Sequence, residues 1–70
     1  MANLIDKLLE EKDRLLWIKK VIGEDWEKPN FVSYRIMYTI LQNKIDEAIA
    51  GRMELVDMIG LVCKLKKFDL

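Results

Sequence analysis

The sequence predicts an all-α fold, a helical hairpin followed by a third helix, and three observations support this prediction. Of the 70 residues, 51% are hydrophobic and 34% are charged, with only three glycines and one proline. Leu, Ile, Lys and Glu are abundant, a mixture typical of helices. Apolar residues also recur three and four positions apart in three successive segments, which is the spacing of one face of an α-helix.

The first segment, from Asn3 to Ile22, is predicted to be a helix. Asn3 is a suitable N-cap, with Asp6 three residues later, and Gly23 provides the stop. The apolar residues form two adjacent stripes. The first stripe contains Leu4, Leu8, Leu15, Ile18 and Ile22, and the second contains Ile5, Leu9 and Leu16. Two adjacent stripes on one helix predict two neighbouring helices.

The segment GEDWEKPN, residues 23–30, interrupts this pattern and is predicted to be a corner between two helices. It contains four charged residues and no apolar periodicity. Because the residue before a proline disfavours the helical conformation, Lys28 is a predicted boundary. Asn30, or Ser33 if the chain enters the helix later, is the predicted cap of the next helix.

The second helix is predicted from Phe31 to Ala50, with one broad apolar face. That face contains Tyr34, Met37, Tyr38, Leu41, Ile45, Ala48 and Ile49. Ile36 and Ile40 lie outside it and form a smaller apolar patch. Gly51 follows, either as the end of this helix or as a mild interruption within a longer one.

The third segment, residues 52–68, is predicted to be a separate or sharply bent helix. Its apolar face contains Leu55, Met58, Ile59, Val62 and Leu65, extended by Val56 and Cys63. The alternative is one helix from Phe31 to Lys67. Such a helix would be about 55 Å long at 1.5 Å per residue, and it would require a partner chain.

The chain is predicted to be a single small helical domain, residues 1–70, completed as a homodimer. A chain of this length buries only about 60% of the surface of its unfolded form. Cys63 is the only cysteine and no histidine is present, so a disulfide within the chain or a classical zinc site cannot supply stability. Apolar surface on more than one side of the first helix, together with the Ile36–Ile40 patch on the second, exceeds what three short helices can bury, which indicates a dimer formed through helices.

The same composition limits location and partners. The N-terminal residues include acidic side chains where a signal peptide has an apolar core, and no stretch approaches the roughly 18 apolar residues of a membrane span. A single cysteine fits a reducing compartment, so we expect a cytoplasmic protein without membrane contact. Formal net charge is zero, which disfavours nucleic acid as a partner. The basic end CKLKKF leaves a small nucleic-acid-associated regulator as a further alternative.

No catalytic residue, metal site or cofactor is predicted. Histidine is absent, the three glycines are scattered, and no phosphate-binding loop or nucleophile motif occurs. Cys63 lies within an apolar face, which favours a structural role for this residue. We therefore predict a protein that is not an enzyme.

The carboxylates provide the alternative. ELVDMIG places Glu54 and Asp57 one helical turn apart, and EDWE gives Glu24 and Glu27 the same spacing. ELVDMIG resembles the second acidic motif of the MazG-like nucleotide pyrophosphohydrolases, in which an ExxE and an ExxD face each other across a helical bundle. That resemblance implies a magnesium-dependent nucleotide hydrolase, completed by Glu47 or by a second chain. EDWE departs from the pattern because it lies in a segment that contains proline, so a solvated acidic face is the preferred interpretation.

The tryptophans indicate the kind of function that we favour. Trp17 and Val21 point away from both apolar stripes of the first helix, toward the side that carries Asp6, Glu10 and Asp13. An exposed Trp–Val pair on a charged face is typical of an interaction surface. The predicted partner-binding residues are Trp17, Val21, Glu24, Asp25, Trp26, Glu27 and Lys28. In the alternative, the segment folds back so that Trp26 and Trp17 cover each other or the end of the bundle.

We therefore expect a non-enzymatic protein–protein interaction module that acts through helical surface. A small adaptor, regulator or inhibitor of the kind common in bacteria and phages fits the size and composition. Its partners would be another protein and a second copy of the chain.

Overall fold

Three α-helices make up most of the computed structural model, which describes residues 3–69 and contains no strand within that range. The helices are α1 (Leu4–Ile22), α2 (Val32–Ile49) and α3 (Leu55–Lys67). Each of them packs against the other two, so the predicted all-α three-helix arrangement is confirmed. Gly51 has a φ of 76° and lies in the turn between α2 and α3. Because this backbone conformation ends a helix, the alternative of one long helix is wrong.

The ends of α1 lie where the sequence predicts them. The Asn3 Oδ1 atom accepts a hydrogen bond from the Asp6 backbone N–H at 2.9 Å, and Gly23 ends the helix with a φ of 60°. The first apolar stripe is buried in the bundle, with Leu8, Leu15 and Ile18 almost completely covered and Leu4 and Ile22 partly covered. Within the second stripe, Leu9 and Leu16 are exposed. The helix has two neighbours, α2 and α3, as the two stripes predict; Ile5 of the second stripe packs against the core, whereas Leu9 and Leu16 are not covered within the bundle.

The corner consists of two short 3₁₀ segments, Gly23–Glu27 and Pro29–Phe31. Lys28 between them has an extended backbone, as expected before a proline. The predicted caps Asn30 and Ser33 are both wrong. The second 3₁₀ segment leads directly into α2, and its last residue occupies the N-cap position without a side-chain hydrogen bond.

The inward faces of α2 and α3 differ from the predicted ones at their edges. The buried residues are Tyr38, Leu41, Ile45 and Ala48 on α2, and Met58, Leu61, Val62 and Leu65 on α3. Met37 and Ile49, predicted to be inward, are exposed at the margins of the α2 face. On α3, Leu55, Ile59 and Cys63 are exposed. The apolar stripe of α3 is wider than the surface with which this helix contacts α1 and α2. The edge of the stripe that contains Leu61 faces those helices and is buried, and the other edge is exposed.

Arg14 fastens the end of α3 to α1. Its guanidinium donates a hydrogen bond to the buried Glu11 carboxylate at 2.7 Å, to the Phe68 carbonyl at 2.7 Å, and to the Leu65 carbonyl. Carbonyls at the C-terminal end of a helix lack partners within the helix, so a cation there satisfies them. The buried Glu11 is acceptable because it is paired. The contact holds Phe68 against the bundle, where its ring lies 4.4 Å from that of Tyr34.

Candidate interaction surface

Trp17 and Val21 form an exposed apolar pair on the outer side of α1. Their exposed fractions are 60% and 53%, in contrast to Leu15 and Ile18 on the inner side, which are almost fully buried. The two residues are four positions apart and therefore adjacent on the helix surface. The structure brings them together as the sequence predicts. Trp17 makes no ring contact with another aromatic residue of the described range 3–69.

Trp26 has the opposite environment, because the corner folds back over the bundle. Only 9% of it is exposed, and its ring packs edge-to-face on Tyr34 at 6.0 Å and on Tyr38 at 4.9 Å between centroids. The Lys19 ammonium lies 5.5 Å from the centre of its ring, within the range of a cation–π interaction. Trp26 is therefore unavailable to a partner in this conformation. The alternative in which the segment folds back over the end of the bundle applies to this residue.

The corner and the Trp17–Val21 pair lie on different sides of α1. Trp26 approaches α1 at Lys19, which is two positions beyond Trp17 and so about 200° around the helix from it. The two tryptophans therefore do not cover each other. The predicted partner-binding residues divide into an apolar pair on one side and a folded corner on the other.

The four charged residues of the corner are exposed, and three of them are paired with near neighbours. The Lys28 ammonium lies 2.7 Å from the Asp25 carboxylate, and the Arg35 guanidinium lies 3.4 Å from that of Glu27. Glu24 is exposed as well. Exposed pairs of this kind contribute little to stability, typically below about 1 kcal/mol. Because these pairs are exposed and weak, they leave the side chains open to contact with another molecule.

The rings around Trp26 form an aromatic cluster, defined here as Trp26, Phe31, Tyr34, Tyr38 and Phe68. Each member contacts at least one other within about 6 Å between ring centres. The Tyr34 hydroxyl is buried and has no hydrogen-bond partner within residues 3–69. Burial raises the pKa of Tyr34, with Asp69 adding to the increase and Arg14 opposing it. Trp26, Tyr38 and Phe68 belong to the core and Tyr34 packs against it, and Phe68 is a member that the sequence did not predict.

The acidic residues of the alternative hypothesis also come together. Glu47, Glu54 and Asp57 line one open cleft of about 550 Å³ near the turn between α2 and α3, together with Lys44, Arg52 and Lys64. Acidic and basic side chains are therefore mixed in this cleft. Among residues 3–69, no three acidic or cysteine side chains are close enough to hold one metal ion. The predicted Glu24 and Glu27 lie in the corner and do not line the cleft.

Further apolar side chains are exposed on all three helices. They are Leu9 and Leu16 on α1, Val32, Ile36, Met37, Ile40 and Ile49 on α2, and Leu55, Val56 and Ile59 on α3. Isolated exposed apolar residues are ordinary, but neighbouring groups of them mark interaction surfaces. The sequence indicated the Ile36–Ile40 patch. It missed Met37, which joins that patch because the inward face of α2 is narrower than its apolar stripe.

No helix within residues 3–69 has both the length and the apolar character required to cross a bilayer. Comparison with known proteins gives no match to a family model, to a curated protein or to a solved structure. The arrangement of the side chains is therefore the basis for assigning a function.

Proposed function

We propose that this protein is a non-enzymatic protein–protein interaction module, a small adaptor, regulator or inhibitor that binds another protein through helical surface. The exposed Trp17 carries the proposal. Trp17 is 60% exposed on the outer side of α1, whereas Leu8, Leu15 and Ile18 on the inner side are almost completely buried. Trp is enriched among the residues that dominate binding energy at protein interfaces. Val21 beside it extends the apolar contact.

The charge around this pair favours a partner with basic groups at the rim of its binding site. Asp6, Glu10 and Asp13 lie on the same side of α1 as Trp17 at helical spacing. Glu10 is 3.6 Å from Lys7, an exposed pair that can exchange for a partner's cation. Complementary rim charges mainly increase the association rate and the specificity.

The test is capture of the partner by the wild-type protein and by two variants. Trp17→Ala is expected to fold normally and to lose the partner. Ile49→Ala is the matched control, because Ile49 is also an exposed apolar residue but lies on α2, outside the Trp17–Val21 pair and outside the residues proposed for the homodimer. Capture that is the same for Trp17→Ala as for the wild type would contradict the proposal.

The homodimer is a second part of the proposal. Leu9 and Leu16 on α1, with Leu55 and Ile59 on α3, are apolar surface that the bundle itself does not cover. Light scattering across a concentration series is expected to give twice the 8.3 kDa mass of one chain. A single-chain mass at every concentration would contradict this part and leave those residues available to other proteins.

A magnesium-dependent nucleotide hydrolase is the second candidate, because Glu47, Glu54 and Asp57 line one cleft; they are too far apart to hold one metal ion by themselves, so a second chain would have to complete the magnesium site. The ligands of this candidate would stabilise the folded state. Magnesium with a nucleoside triphosphate would then raise the melting temperature, and the increase would be lost in Asp57→Asn. An unchanged melting temperature would favour the interaction module.

A further inference from the structure

A second surface, separate from Trp17, is a groove between α2 and the C-terminal part of α3. We name it the α2–α3 groove. It has a volume of about 390 Å³, and its apolar lining consists of Met37, Ile40, Leu41 and Phe68. Leu41 and Phe68 are buried and form its floor, while Met37 and Ile40 are exposed and form a wall. This volume is enough for one or two large apolar side chains of a ligand.

The apolar lining continues along α2. A second hollow of about 390 Å³ shares Ile40 with the groove and is lined also by Ile36 and Val32. These three residues are four positions apart and so form one continuous strip on the helix surface. From Val32 to Lys44 the strip is about 18 Å long at 1.5 Å per residue. A ligand helix of about three turns has that length.

The rim of the groove is basic. Lys44, Lys64 and Lys67 line it, and no acidic side chain does. Within residues 3–69 none of these three lysines forms a salt bridge, whereas Lys7 and Lys12 on α1 each have a carboxylate partner. The chain as a whole has no net charge. Lys44 and Lys64 also border the neighbouring cleft that contains Glu47, Glu54 and Asp57, but the charged residues that line the groove itself are all lysines, and these can select an acidic ligand.

We propose that the α2–α3 groove binds an acidic amphipathic helix of a partner protein. The apolar side chains of the ligand would pack on Met37, Ile40 and Phe68, and its Asp and Glu side chains would pair with the lysine rim. An apolar floor between two helices, with charges at its edges, is how helix-in-groove recognition works. Lysines suit this ligand because their flexible ammonium groups can meet carboxylates at several positions along it.

The groove would be a second binding surface of the protein, beyond its proposed function, with a ligand of defined chemistry. It does not depend on Trp17. Its test uses purified protein and a synthetic ligand, so that failure of partner capture and failure of the groove are separate results.

The probe is a fluorescein-labelled 18-residue helical peptide with leucines three and four positions apart and glutamates at the other positions. A control peptide has glutamines in place of the glutamates. Fluorescence anisotropy with the full chain is expected to show binding of the acidic peptide, weakened by added salt, and much weaker binding of the glutamine peptide. Equal binding of the two peptides would overturn the proposal.

Two charge-reversal variants locate the site. Lys64→Glu with Lys67→Glu is expected to weaken binding of the acidic peptide by at least about tenfold. Lys20→Glu with Lys66→Glu is the matched control, since it makes the same change in net charge at two exposed lysines outside the groove. Lys66 also shares the last turn of α3 with Lys67, so both pairs place a negative charge at that helix end. Equal weakening by both pairs would overturn the groove assignment.

Ile40→Asn tests the apolar wall. Ile40 is exposed, so circular dichroism should show an intact fold, and binding of the acidic peptide should fall at least about tenfold. Two results would assign the groove to another occupant and overturn the proposal. The first is a dimer that Ile40→Asn dissociates while peptide binding is unchanged. The second is binding to vesicles of anionic lipid that Lys64→Glu with Lys67→Glu abolishes, without any binding of the peptide.

Discussion

The two tryptophans, nine positions apart in the chain, lie in opposite environments. Trp26 is packed edge-to-face between Tyr34 and Tyr38 and is covered by the Lys19 side chain. Trp17 is the most exposed aromatic residue among those described, with no ring beside it. The same side chain therefore closes the core in one place and provides a surface for contact in the other.

The difference shows how a short chain uses few large side chains. α1 and α2 leave an opening at the end where they are joined, and the 3₁₀ corner covers it with Trp26. An aromatic ring buries a large apolar area, which a small bundle needs. Trp17 contributes nothing comparable to the core, and its exposure is consistent with a role outside the fold.

Leu15 tests the inner side of α1 directly, two positions from Trp17. Leu15 is completely buried, so Leu15→Asp would place an unpaired carboxylate in the core, at a cost of several kcal/mol. This is the largest expected effect, and it would exceed the stability of a domain of this size. Circular dichroism should show an unfolded chain. A folded, fully helical Leu15→Asp variant would mean that the core is assigned to the wrong face.

Trp26→Ala tests the packing of the buried tryptophan. Removing a buried aromatic ring typically costs about 3 to 5 kcal/mol, because a cavity remains where the ring packed. The loss should appear as a lower midpoint of urea unfolding. Trp26→Phe is the control and should recover part of the stability through contacts with Tyr34 and Tyr38. A change below about 1 kcal/mol for Trp26→Ala would mean that the corner does not cover the bundle.

Arg14→Met tests the opposite end of the aromatic cluster, where Arg14 holds the Phe68 carbonyl. The substitution removes the nearer cation of the buried Glu11 and leaves the Lys7 ammonium, 3.9 Å from the carboxylate. Breaking a buried pair costs about 3 to 5 kcal/mol, and we expect about 1 to 3 here because Arg14 is partly exposed. Urea unfolding measures the change. The double variant Glu11→Gln with Arg14→Met should be less destabilised than Arg14→Met alone, because it removes the buried charge. A double variant that is more destabilised than Arg14→Met alone would rule out the buried charge as the cause.

The stability of the folded chain is expected to depend on pH through Tyr34, which packs against Trp26. Burial, and then Asp69, raise the pKa of Tyr34 in the folded state above its ordinary value of 10.0. As the pH rises past that value, the unfolded chain loses the phenolic proton first, so the folded state binds more protons and its stability falls. The stability that comes from this difference in pKa is fully present below pH 10 and is lost as the pH rises through the higher pKa of the folded state. Urea unfolding of Tyr34→Phe should show a smaller loss of stability between about pH 9 and pH 11 than the wild type does.

The same variant also tests the buried hydroxyl at neutral pH. Because the Tyr34 hydroxyl has no partner among the described residues, removing it should leave the free energy of unfolding unchanged or raise it by up to about 1 kcal/mol. A clear loss of stability would show that this hydroxyl forms a hydrogen bond in solution.

Trp17→Ala tests the exposed tryptophan, and we expect it to change the stability very little. A surface substitution away from packed features usually changes the free energy of unfolding by less than about 0.5 kcal/mol. Urea unfolding of Trp17→Ala beside Trp26→Ala should therefore separate the two tryptophans by several kcal/mol. A cost for Trp17→Ala similar to that of Trp26→Ala would show that Trp17 packs against the protein in solution.

The sequence by itself determined the local features of this protein. The spacing of apolar residues and the chemistry of Asn3, Gly23 and Gly51 predict the helices and most of their ends, because these depend on neighbouring residues. The exposure of Trp17 also follows from the sequence, since it lies opposite the main apolar stripe. Its role in binding stays a prediction.

Only the tertiary structure decided which of several similar apolar edges is covered. Leu61 and Ile59 belong to one wide stripe on α3, and the packing of α1 and α2 buries the first and leaves the second exposed. The burial of Trp26 and the hydrogen bonds of Arg14 to the end of α3 join residues far apart in the chain. The physical reason is that helical periodicity is a local property, whereas burial depends on where the neighbouring helices lie.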